Sequence, residues 1–476
     1  MSHYETAAKD KVPLGQKAAY GTGTFVLNLL PSALGVFAFF LITGFGVDPL
    51  LAGLLGGIPR LFDAITDPIM GFITDNTKSR WGRRRPYIVV GAILSGTFFA
   101  FLWQLDSEWS QDYTFWYFLL FSLAFTIGNT MYATPFVGLG YEITSDYNER
   151  TRLMAFSQFM GQIAWMIVPW FWVLIADPDL FESQAEGVQT LSLYVAGGCI
   201  VLGLLPGLFC KGIDSDNIDN RAEISFRTLW TNLKGVVKNI IQTFKNSAFV
   251  RLCSATFLVF NGFQLVASFS YFIIVFHMFD GDYGATGTWP AWFSTMTAVT
   301  TAFFVIPIVS WMSNKWGKRN AFIISTLLSI VGYGLKWYGF NPENPWLIFI
   351  PIPLMAFGIG GLFTLMMSMT ADVCDLDELN NGMPRKEGTF GAIYWLMVKL
   401  GQALALVLAG VVLKFVGFDA GAATQTAETM TKLRLADIII PAGTAAMAIL
   451  VMWRYDITEE KAHQIKQQLI ERRGEI

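Results

Sequence analysis

Twelve stretches of mostly apolar residues follow one another along this chain. They lie near 19–46, 50–74, 86–105, 113–142, 154–176, 188–210, 249–279, 287–312, 320–339, 346–371, 389–417 and 436–454. About 20 such residues are needed for a helix to cross the hydrocarbon of a bilayer, where no water can satisfy a loop or an open sheet edge. A chain with so many spans is expected to fold as an all-α integral membrane bundle. Composition agrees: 53% of the 476 residues are hydrophobic and 14% are charged, against about 25% charged in an ordinary soluble domain.

The connections set the orientation. Lys9, Lys11 and Lys17 precede the first span, and Lys78, Arg80, Arg83, Arg84 and Arg85 follow the second. Arg150 and Arg152 follow the fourth, and Lys315, Lys318 and Arg319 follow the eighth. Alternate loops carry acids instead, as at Asp106, Glu108 and Asp112 or Asp280 and Asp282. Basic loops stay in the cytoplasm, so both termini are expected inside a multi-pass plasma membrane protein, the inner membrane in a bacterium. Lys432 and Arg434, before the last span, are the exception.

The pattern divides into a cytoplasmic segment 1–18, a six-helix bundle 19–210, a polar middle loop 211–248, a second six-helix bundle 249–454 and a tail 455–476. Within the loop, "FRTLWTNLKGVVKNIIQTF" spaces apolar residues at helical intervals among lysines, the pattern of a helix lying on the inner membrane surface. The tail repeats this more weakly, with Thr458 as a candidate N-cap. "SRWGRRRPYIVVGAIL" near residue 80 recurs as "NKWGKRNAFIISTLLS" near 315, each after the second span of its half. Duplicated halves around a midplane site are a plan of secondary transporters.

Other function classes find little support. The net charge of -3 gives no hint of nucleic-acid binding, and the three histidines are too scattered for a metal centre. The four cysteines have neither disulfide nor zinc spacing. No nucleophile with a base and no phosphate loop is evident, so neither an enzyme nor a cofactor is expected. The first apolar stretch is too long for a cleavable signal.

The chemistry sits in "RLFDAITDPIMGFITDNTKSRWGRRRP", residues 60–86. Asp63 and Asp67 are four residues apart, so they share one helix face. A charge at the bilayer centre costs at least ~2.5 kcal/mol, and two like charges repel unless a cation or a proton intervenes. Arg60 offers one structural partner, for Asp63, and leaves Asp67 unexplained. Carboxylates with the hydroxyls of Thr66 and Thr130 suit a hard cation, and the carboxylates alone suit a proton. Asp75, beside the arginine cluster, is a natural partner for it. Trp165, Trp170 and Trp172 could pack or present a ring face to a solute, and Asn261 and Gln264 could line a cavity or join helices.

That stretch resembles the signature of the glycoside-pentoside-hexuronide:cation symporters, the melibiose permease group of the major facilitator superfamily. "YGTGTF", "TPFVGLGYEITSDYNERTRL", "ADVCDLDELNNGMPRKEGTFGAIYWLMVKLG" and "YDITEEK" continue the match in family order over nearly the whole chain. The resemblance implies twelve spans in two halves, and import of a sugar-like solute with Na⁺, H⁺ or Li⁺ by alternating access. It places Asp63, Asp67 and Thr130 on the cation site, with Thr66 where the melibiose permease has asparagine.

The sugar site departs further. Asn28 and Ala133 stand at two sugar-binding acids, Val137 at a stacking tryptophan and Gln158 at an arginine, while Lys399 matches. Trp395 shares a helix face with Lys399 and is the expected stacking residue. With its acidic neighbours gone, Lys399 either is deprotonated, or pairs with Asp63 or Asp67 in the empty state, or points to the favoured reading, a substrate that supplies the anion, a uronide or sulfonated sugar, held by Asn28, Gln158, Trp395 and Lys399. A lysolipid carrier is the alternative. The resemblance also implies ion-pair gates at the cytoplasmic ends, from Asp75, Arg83, Glu142, Asp146, Arg150 and Arg152 in one half and Asp372 and Arg385 in the other. Beyond solute, cation and lipid no partner is expected, and the chain is expected to be a monomer.

Overall fold

The computed structural model describes residues 11–144, 147–211, 224–381 and 387–473. Eleven helices among them are long and apolar enough to cross a membrane. The remaining expected span is α2 (Pro49–Asn76), whose 28 residues suffice in length but whose hydropathy is diluted by Arg60, Asp63 and Asp67. The chain is a multi-pass membrane protein with the major facilitator fold.

The first compact unit is Met1–Gly235. It contains α1 (Leu14–Thr43), α2, α3 (Arg85–Leu102), α4 (Gln111–Glu142), α5 (Tyr147–Ala176) and α6 (Gln184–Phe209). Helix α1 packs on α5 and α6, α3 on α4 and α6, and α2 on α4. Helix α7 (Phe226–Thr243) runs across the unit boundary where the sequence predicts a helix, with Trp230, Val237 and Ile241 exposed.

The second unit is Val236–Ile476. It contains α8 (Ser247–Ile273), α9 (Tyr283–Thr286), α10 (Trp289–Thr300), α11 (Ile306–Trp316) and α12 (Lys318–Gly339). Helices α13 (Ile352–Asn381), α14 (Glu387–Phe415), α15 (Ala427–Trp453) and α16 (Glu459–Arg473) complete it. The eighth expected span is α10 and α11 joined by a π-helical turn at Thr301–Val305. Thr458 does cap α16, its hydroxyl accepting from Lys461 N at 3.3 Å.

The internal repeat has a backbone counterpart. Gly82 and Gly317 have φ of +86° and +79°, a region that favours glycine over any residue with a Cβ. Each follows a tryptophan, lies just beyond the second spanning segment of its half, and is followed directly by a basic residue. In the first unit that residue, Arg83, donates to Glu142 at the end of α4, with Nε 2.8 Å from Oε1. In the second, Lys318 Nζ is 2.6 Å from Asp372 Oδ2 on α13.

Candidate functional site

Helix α2 is started by Asp48, whose carboxylate accepts from Leu50 N and Leu51 N at 2.9 and 3.3 Å. Pro49 at its first position has no N–H to leave unpaired. One and two turns beyond Pro59 the helix presents Asp63 and Asp67. Pro68 gives no N–H to the carbonyl four residues back, at Ala64, which loosens the helix between the acids.

Helix α4 meets them with hydroxyls in matching register. Thr130 Oγ1 donates to Asp63 Oδ1 at 2.9 Å, and Thr134 Oγ1 donates to Asp67 Oδ1 at 3.4 Å. Both pairs are 67 residues apart in sequence, so two helices advancing in step produce a two-rung ladder of acid against hydroxyl. Thr66 Oγ1 lies 3.2 Å from Thr130 Oγ1 and 3.3 Å from the Asp63 carbonyl. A hydroxyl has one proton and two lone pairs. The two protons of Thr66 and Thr130 therefore face three contacts, and oxygen lone pairs remain to accept a cation. Asp63 is buried at 7% exposure, and Asp67 is half-buried. Arg60 lies within electrostatic reach of Asp63.

All these donors are hard oxygens, which suit Na⁺ or Li⁺ and exclude nothing about a proton. No group of three or more His, Cys, Asp or Glu that could hold a metal ion occurs among the described residues. Thr134 was missed in the sequence because a single hydroxyl in "TMYATPF" is uninformative until the register of α2 against α4 is known.

The expected substrate residues fall into two groups. In the first unit, Asn28 lies on α1 and Gln158, exposed, on α5. Trp165 Nε1 donates to Asn28 Oδ1 at 3.2 Å, while Asn28 Nδ2 donates to the Thr24 carbonyl at 2.8 Å. Trp172 is fully buried core. In the second unit, Trp395 is half-exposed and stacks on Phe363 at 6.2 Å. Lys399 is half-buried and engaged with a partner inside the chain. Asn261 is a helix joint, its Nδ2 donating to the Gly401 carbonyl at 3.2 Å.

The expected gate residues find partners within their own unit. Besides Arg83, Arg84 Nε lies 3.0 Å from Glu142 Oε1, and Arg84 Nη2 lies 3.0 Å from Asp75 Oδ1. Glu142 thus ties the loop after α2 to the end of α4, and Asp372 is held by Lys318. Arg385, Asp146 and the side chain of Arg150 lie outside the described residues.

Glu149, which the sequence did not single out, is buried at the start of α5. It accepts from Val12 N at 3.0 Å, and Lys17 Nζ and Arg152 Nη1 lie 2.5 and 3.2 Å from its oxygens. The Lys17 hydrogen bond, then those of Val12 and Arg152, hold its carboxyl below the ordinary value near 4.5. A lowered carboxyl stabilises the fold above the unfolded-state value and ceases to do so as pH falls through the folded one. Backbone amides near Val12 are therefore expected to keep their hydrogen-exchange protection above the ordinary carboxylate value and to lose it as the pH falls below that value. Glu149→Gln is expected to show that loss already at pH 7, and unchanged protection in the variant would refute this anchor.

An all-helical membrane chain with paired acids inside one bundle belongs to the class of secondary transporters. More narrowly, the chain belongs to the MFS/sugar transport protein family, whose model matches residues 19–459, in keeping with the symporter motifs. It is 24% identical to the isoprimeverose transporter of Lactiplantibacillus pentosus, covering 95% of this chain and 91% of that protein. It is 22% identical to the sodium-dependent lysophosphatidylcholine symporter 1 of Gallus gallus, covering 98% and 91%. The crystal structure of the nucleoside transporter NupG is similar with a TM-score of 0.67, over 93% of this chain and all of that one, at 15% identity. That likeness is one of fold alone.

Proposed function

We propose that this chain is a cation-coupled symporter that imports a sugar-like solute by alternating access. The ladder of Asp63 and Asp67 against Thr130 and Thr134 carries the reading. Their carboxylates and the hydroxyls of Thr66, Thr130 and Thr134 gather hard oxygens that a bound cation or a proton can join. Cation binding relieves the repulsion between the acids and couples their occupancy to the state of the protein. Each monovalent charge moved inward contributes about 2.3 kcal/mol per 100 mV, enough for roughly 40–50-fold accumulation of a neutral solute.

The isoprimeverose transporter favours a glycoside as solute. The uncharged side chains of Asn28 and Gln158 favour an uncharged glycoside over the uronide or sulfonated sugar expected from the motifs. A second reading, transport of a lysolipid, is favoured by the likeness to the lysophosphatidylcholine symporter. The gating role of Asp75, Arg83, Glu142 and Asp372 is part of the proposal: these pairs brace helix ends whose rearrangement would open the cytoplasmic side.

The test is uptake in proteoliposomes with imposed Na⁺ or pH gradients, across neutral glycosides, glucuronides and lysophosphatidylcholine. Accumulation of a glycoside driven by one of the two gradients is expected. Accumulation of the lysolipid alone would favour the second reading, and no response to either gradient would sink the coupling.

A further inference from the structure

Helix α5 carries a stripe that the cation mechanism does not use. Gln158, Gln162 and Trp165, at offsets of four and seven residues, share one helix face and are all exposed. Two carboxamides turned to lipid would be unsatisfied in hydrocarbon, so this stripe faces an aqueous cavity. Trp165, 50% exposed, belongs to it, and a position in an aromatic belt does not account for its neighbours.

The indole is also oriented. Its Nε1 is held by Asn28 at 3.2 Å, and Asn28 is itself held by the Thr24 carbonyl. The helices meet closely because residue 161 is glycine: a Cβ there would lie 3.0 Å from Asn28 Nδ2. One layer below, Thr24 Oγ1 and Ser157 Oγ join at 2.6 Å, both buried. One turn along α1 from Asn28, the buried Ser32 hydroxyl has no hydrogen-bond partner among the described residues. The indole edge is pinned and its polar atom satisfied, which leaves a ring face as the feature presented. Asn28, Ser32, Gln158, Gln162 and Trp165 carry no charge.

We propose that Trp165, oriented by Asn28, is the platform on which the ring of an uncharged glycoside stacks, with Gln158 and Gln162 reading its hydroxyls. This rests on the sugar-symporter reading and names the substrate class of that site. The C–H face of a pyranose carries partial positive charge and suits the negative face of an indole. Carboxamides both donate and accept, as hydroxyls require. A carboxylate on the sugar would lose its hydration among neutral groups. Residue 137, where the family resemblance implies a stacking tryptophan, is valine here, so the aromatic surface has moved from α4 to α5.

The experiment titrates full-length protein in nanodiscs with 4-nitrophenyl glycosides of neutral hexoses and pentoses and with the matching glucuronides. Cation binding, by Na⁺, Li⁺ or proton titration, is measured in parallel on every variant. Trp165→Ala and Trp165→Leu are each expected to weaken the best neutral glycoside about 30-fold, the scale of a lost aromatic anchor. Trp165→Phe, which keeps a π face, is expected to stay within about fivefold. All three are expected to bind the cation as the wild type does, which shows that they are folded. The glucuronide is expected to bind at least tenfold more weakly than its neutral parent. Wild-type affinity in Trp165→Ala, equal affinity of the Leu and Phe variants, or tighter binding of the glucuronide would each overturn the proposal while leaving the symporter reading in place. Cation binding by the wild type with no glycoside bound at all would overturn the sugar reading itself, and the platform with it.

Discussion

Asp63→Asn is expected to abolish concentrative uptake while sparing the fold and solute binding. The substitution is nearly isosteric, and the amide oxygen of asparagine still accepts the Thr130 hydroxyl that Asp63 Oδ1 accepts at 2.9 Å. What disappears is the negative charge. At cation–oxygen contact in a site of intermediate dielectric, one carboxylate attracts a monovalent ion by several kcal/mol, on the order of a hundredfold or more in affinity. Without the cation the gradient has nothing to pull on, so uptake falls to equilibration or exchange. Asp67→Asn is expected to be the milder lesion, because Asp67 is less buried and its Thr134 contact is longer, at 3.4 Å. The measurement is solute accumulation under an imposed gradient alongside solute counterflow without one. Full gradient-driven accumulation by Asp63→Asn would remove the acid ladder from the coupling mechanism.

The ladder also shows where sequence reasoning reaches and where it stops. Asp63 and Asp67 were legible because an acid in an apolar helix is costly, and two at a helical interval share a face. Thr130 was legible through the family motif. Thr134 was not, because its role depends on two helices keeping step, which is a tertiary fact. The expected gate residues show a similar limit. Their charges announced ion pairs, but only the structure shows that Glu142 joins Arg83 and Arg84, and that Asp372 joins Lys318. Arg434, an exception to the charge rule for loops, is explained by its surroundings: it lies over the Trp337 ring at 4.3 Å and donates to the Trp337 carbonyl. Its neighbour Lys432 pairs with Glu428 at 2.6 Å. Apolar runs located the spans, and α2 falls short of the others in hydropathy because Arg60, Asp63 and Asp67 lie within it.

The largest effect on stability is expected at a pair that the sequence reading passed over. Lys336 on α12 and Asp437 on α15 form an ion pair with side chains 0% and 1% exposed. "GLKWYG" reads as a lysine reaching for the membrane surface, and nothing in "LADIII" announces a partner 101 residues on. Lys336 Nζ also lies 3.5 Å from Ser270 Oγ on α8 and 5.0 Å from the Phe340 ring centroid, so three helices converge on one ammonium. Removing one partner leaves an uncompensated buried charge, at a cost of about 3–5 kcal/mol. The cost has a ceiling, because the orphan can change protonation: from ordinary values to pH 7 this takes about 4–5 kcal/mol for either group. Lys336→Met and Asp437→Leu are therefore each expected to lower thermal stability strongly. The double variant is expected to recover most of the loss, since apolar replacement of a whole buried pair is often neutral. The single variants should also respond to pH with opposite signs. Without Lys336, Asp437 keeps only the weaker attraction of Arg434 and is relieved by taking up a proton, so Lys336→Met is expected to gain stability as pH falls. A lone Lys336 is relieved by losing one, so Asp437→Leu is expected to gain stability as pH rises. Unfolding of the purified full chain across pH 5 to 9 reads both signs and the double-variant cycle together. Additive losses in the double variant, or equal pH dependence of the two single variants, would mean that Lys336 and Asp437 do not act as one unit.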